Sequence, residues 1–374
     1  MTGHMQIPPV RISFSETDRR EILSRIDRCL EAGFLAQGEN VDEFEMLFRQ
    51  YIGCRHALAL SSGGSAIEAA MRALDVRGKE VLVPTNTFFA TAAGVLAAGG
   101  SVRLLDIDPS TLSPSVEAIE SAVSPATAGL ILVHIGGIIS RDIDSIKSTC
   151  DRQGIWLFED CAHAHGSAFG EKKAGRFGIG GAYSFFSTKV ITCGEGGMFV
   201  TDDEDLSRRV RLLRNYGKPD PWETHCVDFG LNWRLNELAA AVAVAQLRRL
   251  DEFIAWRAKI AAFYNSRLVQ VASTRTIQPS GRCSWYKFIV VLPPGVNRKK
   301  VKDYAKEHGV ALAGGVYDIP LHKQPAVSKL GIRGSFPHAD DFCARHICLP
   351  IYFGMTDAEA EYVIETIRSA IEVG

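Results

Sequence analysis

What this chain lacks narrows it first. No apolar run approaches the roughly 20 residues that cross a bilayer, so no membrane partner is expected. There is no long basic run, and 42 Lys and Arg against 43 Asp and Glu leave a formal net charge of −1. That balance argues against a nucleic-acid partner. The nine cysteines, at positions 29, 54, 150, 161, 193, 226, 283, 343 and 348, include no C-x-x-C pair. An odd, scattered set without metal spacing implies reduced thiols and a cytoplasmic protein, with neither a disulfide framework nor a metal site. No repeat or low-complexity segment stands out. The first residues are polar and proline-containing, so no secretory leader is expected.

What is present is an ordinary globular composition, 46% hydrophobic over 374 residues. That length predicts two domains, read here as a large one over 1–250 and a smaller α+β one over 251–374. Ser15 is placed to cap an amphipathic helix over 15–33, whose stripe is Ile22, Ile26 and Leu30. A second helix follows over 41–51. Short apolar strands are then expected at 57–60, 80–84, 102–107, 129–134, 155–159 and 198–201, most of them separated by helical patterns. Such alternation describes βαβ units and an α/β fold whose mainly parallel sheet is covered on both faces. Residues 217–233 read as irregular. From 234 to about 268 the pattern is helical throughout, one long helix or two in succession. Strands at 285–292 and 346–350 and helices at 299–308 and 357–373 complete the smaller domain. Thr356 and Glu359 have capping-box spacing at the start of the last helix.

Three stretches carry chemistry. In Ser184-Phe185-Phe186-Ser187-Thr188-Lys189 an aromatic strand runs into a lysine, and Gly194, Gly196 and Gly197 follow closely. Burial there would disfavour the charged amine and make it a nucleophile suited to Schiff-base chemistry. Taken alone, the stretch reads more simply as a surface lysine at a strand end. Ser61-Ser62-Gly63-Gly64-Ser65-Ala66 lies between a strand and a helix, where unpaired N–H groups and the helix dipole make a phosphate cup. A plain strand-to-helix turn would use the same glycines. Asp160 ends a strand, the edge at which open α/β sheets hold ligands. It either caps a turn or keeps a pyridinium nitrogen protonated. His163 and His165, two apart, would share a face if the strand continued.

These motifs, in this order, resemble those of the DegT/DnrJ/EryC1/StrS family of sugar aminotransferases, which has the aspartate-aminotransferase-like fold type I. The resemblance runs from about residue 33 to the end. It is carried by the Ser-Gly-Gly-Ser-Ala cup, Pro84-Thr85-Asn86-Thr87-Phe88, Glu159-Asp160-Cys161-Ala162-His163-Ala164-His165-Gly166 and the Ser184–Gly197 stretch. Gly230-Leu231-Asn232-Trp233-Arg234-Leu235-Asn236-Glu237 and Tyr317-Asp318-Ile319-Pro320-Leu321-His322 add to it.

The resemblance implies pyridoxal 5'-phosphate as cofactor and Lys189 as its Schiff-base partner and proton carrier. Asp160 would pair with the pyridine nitrogen. Phe88 would stack on the ring, and His163 would approach its phenolic oxygen. Ser184 and the backbone of Gly64 and Ser65 would hold the phosphate. Asn232 would reach the phosphate of a neighbouring subunit, implying a homodimer with shared active sites; alternatively it caps the following helix. Tyr317, His322 and His134 are open between substrate contact and packing. The family usually has threonine where this chain has Gly64, and a proline near Val133–Ile138 is missing.

The implied reaction is ping-pong transfer of an amino group from an amino acid, L-glutamate by resemblance, to a keto sugar, most simply a nucleotide-linked one. A cyclitol ketone or aromatic-amine precursor is a near alternative. A dehydratase branch of the family replaces the lysine with histidine, so Lys189 favours amino transfer. A non-catalytic cofactor-binding protein is the reading from another class.

Overall fold

The structure, a computed structural model, describes residues 5–220, 223–269, 271, 274–312, 314–332 and 334–373. Its main sheet contains β1 (His56–Leu60), β2 (Glu80–Pro84), β3 (Ser101–Leu105), β4 (Thr127–Val133) and β5 (Trp156–Asp160). A small hairpin, β6 (Ala168–Phe169) and β7 (Lys172–Lys173), precedes the last two members, β8 (Gly180–Ser184) and β9 (Gly197–Thr201). The spatial order is β1-β9-β8-β5-β4-β2-β3. Among these seven, only β9 is reversed, pairing antiparallel with both β1 and β8. A second sheet of three antiparallel strands joins β10 (Arg275–Thr276), β11 (Phe288–Val291) and β12 (His346–Leu349).

Among the described residues the helices are α1 (Glu16–Ala32), α2 (Glu39–Ile52), α3 (Gly63–Ala73), α4 (Phe89–Ala97), α5 (Val116–Ala122), α6 (Ile143–Arg152), α7 (Glu204–Arg214), α8 (Glu237–Arg248), α9 (Leu250–Leu268), α10 (Arg298–Glu307), α11 (Pro325–Ser328), α12 (Pro337–Arg345) and α13 (Asp357–Val373). None is long and apolar enough to cross a membrane.

The main sheet is buried on both faces, as its continuous apolar strands require. Alternate residues separate cleanly. Leu58, Val81, Ile131, Phe158 and Phe199 join one core, and Ala59, Leu82, Leu130, Leu157 and Val200 join the other. The first core continues into the small sheet through Phe288, Val290 and Ile347. Close strand packing fixes one residue outright: a Cβ at Gly129 would lie 2.0 Å from the Trp156 ring across the β4–β5 pair.

The caps follow the sequence where they are local. Ser15 and Asp18 exchange bonds at the head of α1, at 3.1 and 2.7 Å. Thr356 and Glu359 do the same for α13, at 3.1 and 2.7 Å. Each such cap stabilises its helix by about 1 kcal/mol. The cap of α2 is not local. Its N-cap is Gly38, which has no side chain to offer. The carboxylate of Glu237, distant in sequence, accepts from the N–H groups of Gly38, Asn40 and Val41 instead, at 2.7, 2.8 and 3.2 Å.

One expected helix start needs correction, and two open points are settled. The helical pattern expected from 234 begins only at Glu237, capped by Asn236, and of the two readings offered it is two helices in succession, α8 and α9, parting at Arg249. The glycine-rich stretch between β8 and β9 is an irregular loop that returns the chain antiparallel. β5 stops at Asp160, so His163 and His165 lie in turns rather than on one strand face. Residues 221 and 222 of the expected irregular stretch lie outside the described residues. Ile7 bridges Val310 in parallel.

Candidate active site

Six of the seven strands point the same way, so the loops leaving β1, β2, β4, β5 and β8 all emerge at one edge. They line a cavity of about 480 Å³, bounded by residues that include Ser62, Gly63, Gly64, Phe88, Asp160, His163, Ser184, Lys189, Tyr286 and Tyr317.

The first wall is the head of α3. Ser62 and Ser65 form a capping box, with Ser65 N–H donating to Ser62 Oγ at 3.0 Å and Ser62 N–H to Ser65 Oγ at 2.9 Å. Ser65 is therefore engaged with the cap, and its side chain is not among the cavity-lining groups. The N–H groups of Gly63 and Gly64 precede the first possible intrahelical bond and stay available, at the positive end of the helix. Glycine at 63 is needed because the end of β8 is so near: a Cβ there would stand 2.8 Å from Ser184 Cβ. That approach brings the Ser184 hydroxyl to the same wall. At Gly64 a Cβ would meet only Ala90 and Ser62, both at 3.7 Å, so the threonine usual in the family would have had room.

Asp160 lies opposite, 5% exposed. It accepts from Thr91 Oγ1 at 2.8 Å and from Ala162 N–H at 3.1 Å. Burial pushes its proton affinity up, against those two bonds and the Lys189 charge. No described cation approaches within ion-pairing distance of it, so a cationic ligand atom would gain a buried counter-charge there.

Lys189 closes the third side. It sits on the β8–β9 loop, with its Nζ 4.6 Å from the centroid of the Tyr286 ring. Burial lowers its pKa to about 8, with Asp160 opposing and Lys287 reinforcing the shift. At neutral pH a useful fraction of the amine is then unprotonated.

Aromatic groups fill the rest. His163 is buried, and burial, then the charges of Lys189 and Lys287, holds it neutral, well below the usual histidine range. Its Nδ1 accepts from Gly136 N–H at 3.3 Å, which leaves the proton on Nε2, facing the Tyr317 hydroxyl at 3.2 Å. His163 also stacks on Tyr286, with ring centroids 4.2 Å apart. Phe88 is exposed at the cavity mouth, its ring 6.0 Å from Tyr317.

Seven of the eight site residues expected from sequence thus lie at or directly behind one cavity. Asn232 does not: it is exposed on a bridge with Asn215 and does not line the cavity of its own chain. Nor does it cap the helix, since Asn236 Oδ1 accepts from Ala239 N–H at 2.8 Å. Of the three open residues, Tyr317 lines the cavity, at a left-handed φ of 146°. His134 is fully buried against Glu159 at 2.9 Å. His322 bridges Thr85 Oγ1 at 2.8 Å to Asp340 at 3.1 Å, tying the end of β2 to α12. His165 is buried between Tyr183 and Phe185, and burial lowers its pKa to about 3.

Sequence reasoning missed Tyr286, Thr188 and Glu195. Tyr286 looks like one more strand aromatic, and only the fold brings it from near β11 to Lys189. The described residues also gather His134, Glu159 and Cys161, with ligand-type atoms within 4.8 Å. The Glu159 oxygens there are already taken by Gly175, Phe177 and Gly178 N–H at 2.6, 2.6 and 2.9 Å and by His134.

An anion cup, a buried carboxylate without a cation and a lysine of depressed basicity, all in one cavity at the carboxyl edge, fit pyridoxal phosphate. Together with the seven-stranded sheet they define a fold type I pyridoxal-phosphate enzyme. The chain belongs to the DegT/DnrJ/EryC1/StrS aminotransferase family, which matches residues 16–368, and is a pyridoxal-phosphate-dependent sugar aminotransferase. It is 30% identical over 377 residues to GDP-perosamine synthase of Caulobacter vibrioides, covering 98% of this chain and 99% of that one. The structure of S. venezuelae DesV with a ketimine intermediate matches with a TM-score of 0.91 at 30% identity, over 98% and 99% of the chains. A GDP-4-keto-6-deoxymannose-3-dehydratase with a trapped PLP-glutamate geminal diamine matches at 0.89 and 25% identity, over 97% and 100%.

Proposed function

We propose that this enzyme moves the amino group of L-glutamate onto a nucleotide-linked keto sugar. The observation that carries this reading is the opposition of Lys189 and Asp160 across one cavity, with the lysine amine near pKa 8. Gly63 and Gly64 N–H and the Ser184 hydroxyl bind the phosphate. Asp160 supplies the negative charge that holds a proton on the pyridine nitrogen. Phe88 and His163 orient the ring, with the Nε2 proton of His163 as a donor. Ser65 supports the cup from behind through its cap with Ser62. Lys189 Nζ anchors the cofactor and carries the proton moved in the transfer. Bound pyridoxal phosphate supplies the electron sink that makes this proton labile.

The active unit in this reading is a cytoplasmic homodimer with shared sites. Leu35 and Leu238 are exposed beside the Ala36–Asn236 bridge, Leu231 is exposed beside the Asn215–Asn232 bridge, and Phe229 is 92% exposed. Such a patch asks for a cover. Among the described residues lining the cavity Lys189 is the only cation, so the carboxylates of a dicarboxylic donor need a counter-charge from elsewhere. Asn232 would reach the partner's phosphate. The boundary between the large and small domains falls near residue 250, at the α8–α9 break. The dehydratase neighbour marks the alternative chemistry, and the lysine at 189 favours amino transfer over it.

The test is the absorbance spectrum with pyridoxal phosphate, before and after L-glutamate. A visible band absent from Lys189→Ala, and bleached by glutamate, is the expected outcome. A band indifferent to glutamate rejects that donor, and no band rejects the role of Lys189. The amine-loaded enzyme would then be offered nucleotide-linked keto sugars, cyclitol ketones and aromatic-amine precursors.

A further inference from the structure

Lys189 is not alone on the Tyr286 ring. Lys287 Nζ lies 5.0 Å from the same ring centroid that Lys189 Nζ approaches to 4.6 Å. The two amines are therefore no more than about 10 Å apart, within one Debye length even if the path were open water. It is not open water, because Tyr286 is buried and stacks on His163. Lys287 itself is half-buried just before β11. The charged and titratable groups that act on it are Cys348 on β12 and Arg257 on α9, with no carboxylate among them. Arg257 is a buried cation bonded only to the carbonyls of Trp285 and Ile351, and Cys348 is a buried thiol held protonated. Lys287 thus brings an unneutralised charge to the site.

We propose that Lys287 is a positioning residue of the reaction, a second cation that shares Tyr286 with Lys189 and keeps the Lys189 amine unprotonated and nucleophilic. The proposal rests on the covalent role read for Lys189 above. The groups facing Lys189 are Asp160 from β5, Lys287, the rings of His163, Tyr286 and Tyr317, and Glu195 on the loop rim. Arg11 and Arg257 line a small void that Lys189 also borders. Asp160 favours the ammonium, while burial and Lys287 disfavour it. Removing Lys287 leaves the aspartate less opposed, so the lysine holds its proton to higher pH. A unit charge at about 10 Å in an effective dielectric near 20 corresponds to about one pH unit. Lysine activation by a neighbouring cation is an established device in enzymes.

The experiment uses the full-length protein without cofactor. Acylation of Lys189 by an amine-reactive ester is followed against pH by peptide mass spectrometry, alongside capture of pyridoxal phosphate. Wild type is expected to show a midpoint near 8. Lys287→Met and Lys287→Gln are expected to move it up by about one unit, slowing modification several-fold at pH 7.5. Lys287→Arg, which restores the charge, is expected to return it. A midpoint unmoved in whichever neutral variant folds, or one that Arg fails to restore, overturns the proposal. If acylation shifts as expected but pyridoxal phosphate never attaches to Lys189, the lysine coupling stands and the functional reading falls.

Discussion

Two neighbouring carboxylates at the end of β5 share burial and differ in everything else. Glu159 continues the Leu157 face and enters the core, where three backbone N–H groups and His134 take up its oxygens. Asp160 continues the Phe158 face and meets the cavity, with one hydroxyl and one N–H as partners. The first pins the 175–178 turn and is complete. The second is held in place yet keeps charge to spend on something else. Satisfaction, more than burial, separates a structural acid from one that serves a ligand.

Substitutions should pull this pair apart. Asp160→Asn keeps the size and the Thr91 contact but removes the charge. Its half-reaction with L-glutamate should slow on the order of 10²–10³-fold in single-turnover absorbance, with the thermal midpoint almost unmoved. Glu159→Gln should do the reverse. One amide N–H group must then face backbone donors, at a cost of about 2–3 kcal/mol in denaturant unfolding. A Glu159 variant with wild-type stability would break the comparison.

Smaller effects sharpen it. His322→Ala cuts the Thr85–Asp340 bridge that seats the Tyr317 segment over the cavity, and should cost about 1 kcal/mol of stability and raise KM. The acid limb for capture of pyridoxal phosphate should lie near pH 8, because only the neutral amine reacts. In Asp160→Asn that limb should move to lower pH, since the lost carboxylate favoured the ammonium. An unmoved limb would mean that burial already keeps Asp160 neutral. Least of all, Gly64→Ser adds a hydroxyl where a Cβ has 3.7 Å of clearance. It should tighten pyridoxal phosphate roughly fivefold in a spectroscopic titration, the value of one added hydrogen bond.

Much of this was legible along the chain. Strand periodicity located β1 to β5 and β9 to within about two residues, and the local caps at Ser15 and Thr356 form as their spacing requires. Lys189, Asp160, Gly64 and Ser184 were singled out through motif resemblance, helped by their places near strand ends, and the structure brings all four to one cavity. What was not legible is long-range. The resemblance implied the backbone of Ser65 as a phosphate ligand, and only the structure shows its N–H given to Ser62 Oγ in the helix cap. Tyr286 and Lys287 lie about a hundred residues from Lys189, and no local pattern links them.

The sequence by itself determined which residues take opposite sides of a strand, since side chains alternate along extended backbone. It determined that Glu159 and Asp160 part company, and that a lysine follows β8. Only the tertiary structure decided which acid meets water-sized space and which meets three N–H groups. It also decided that Glu237 caps α2 and that two lysines share one tyrosine ring. Alternation and capping are set by bonds a few residues apart. Desolvation and the neutralisation of buried charge depend on whatever the rest of the chain brings alongside.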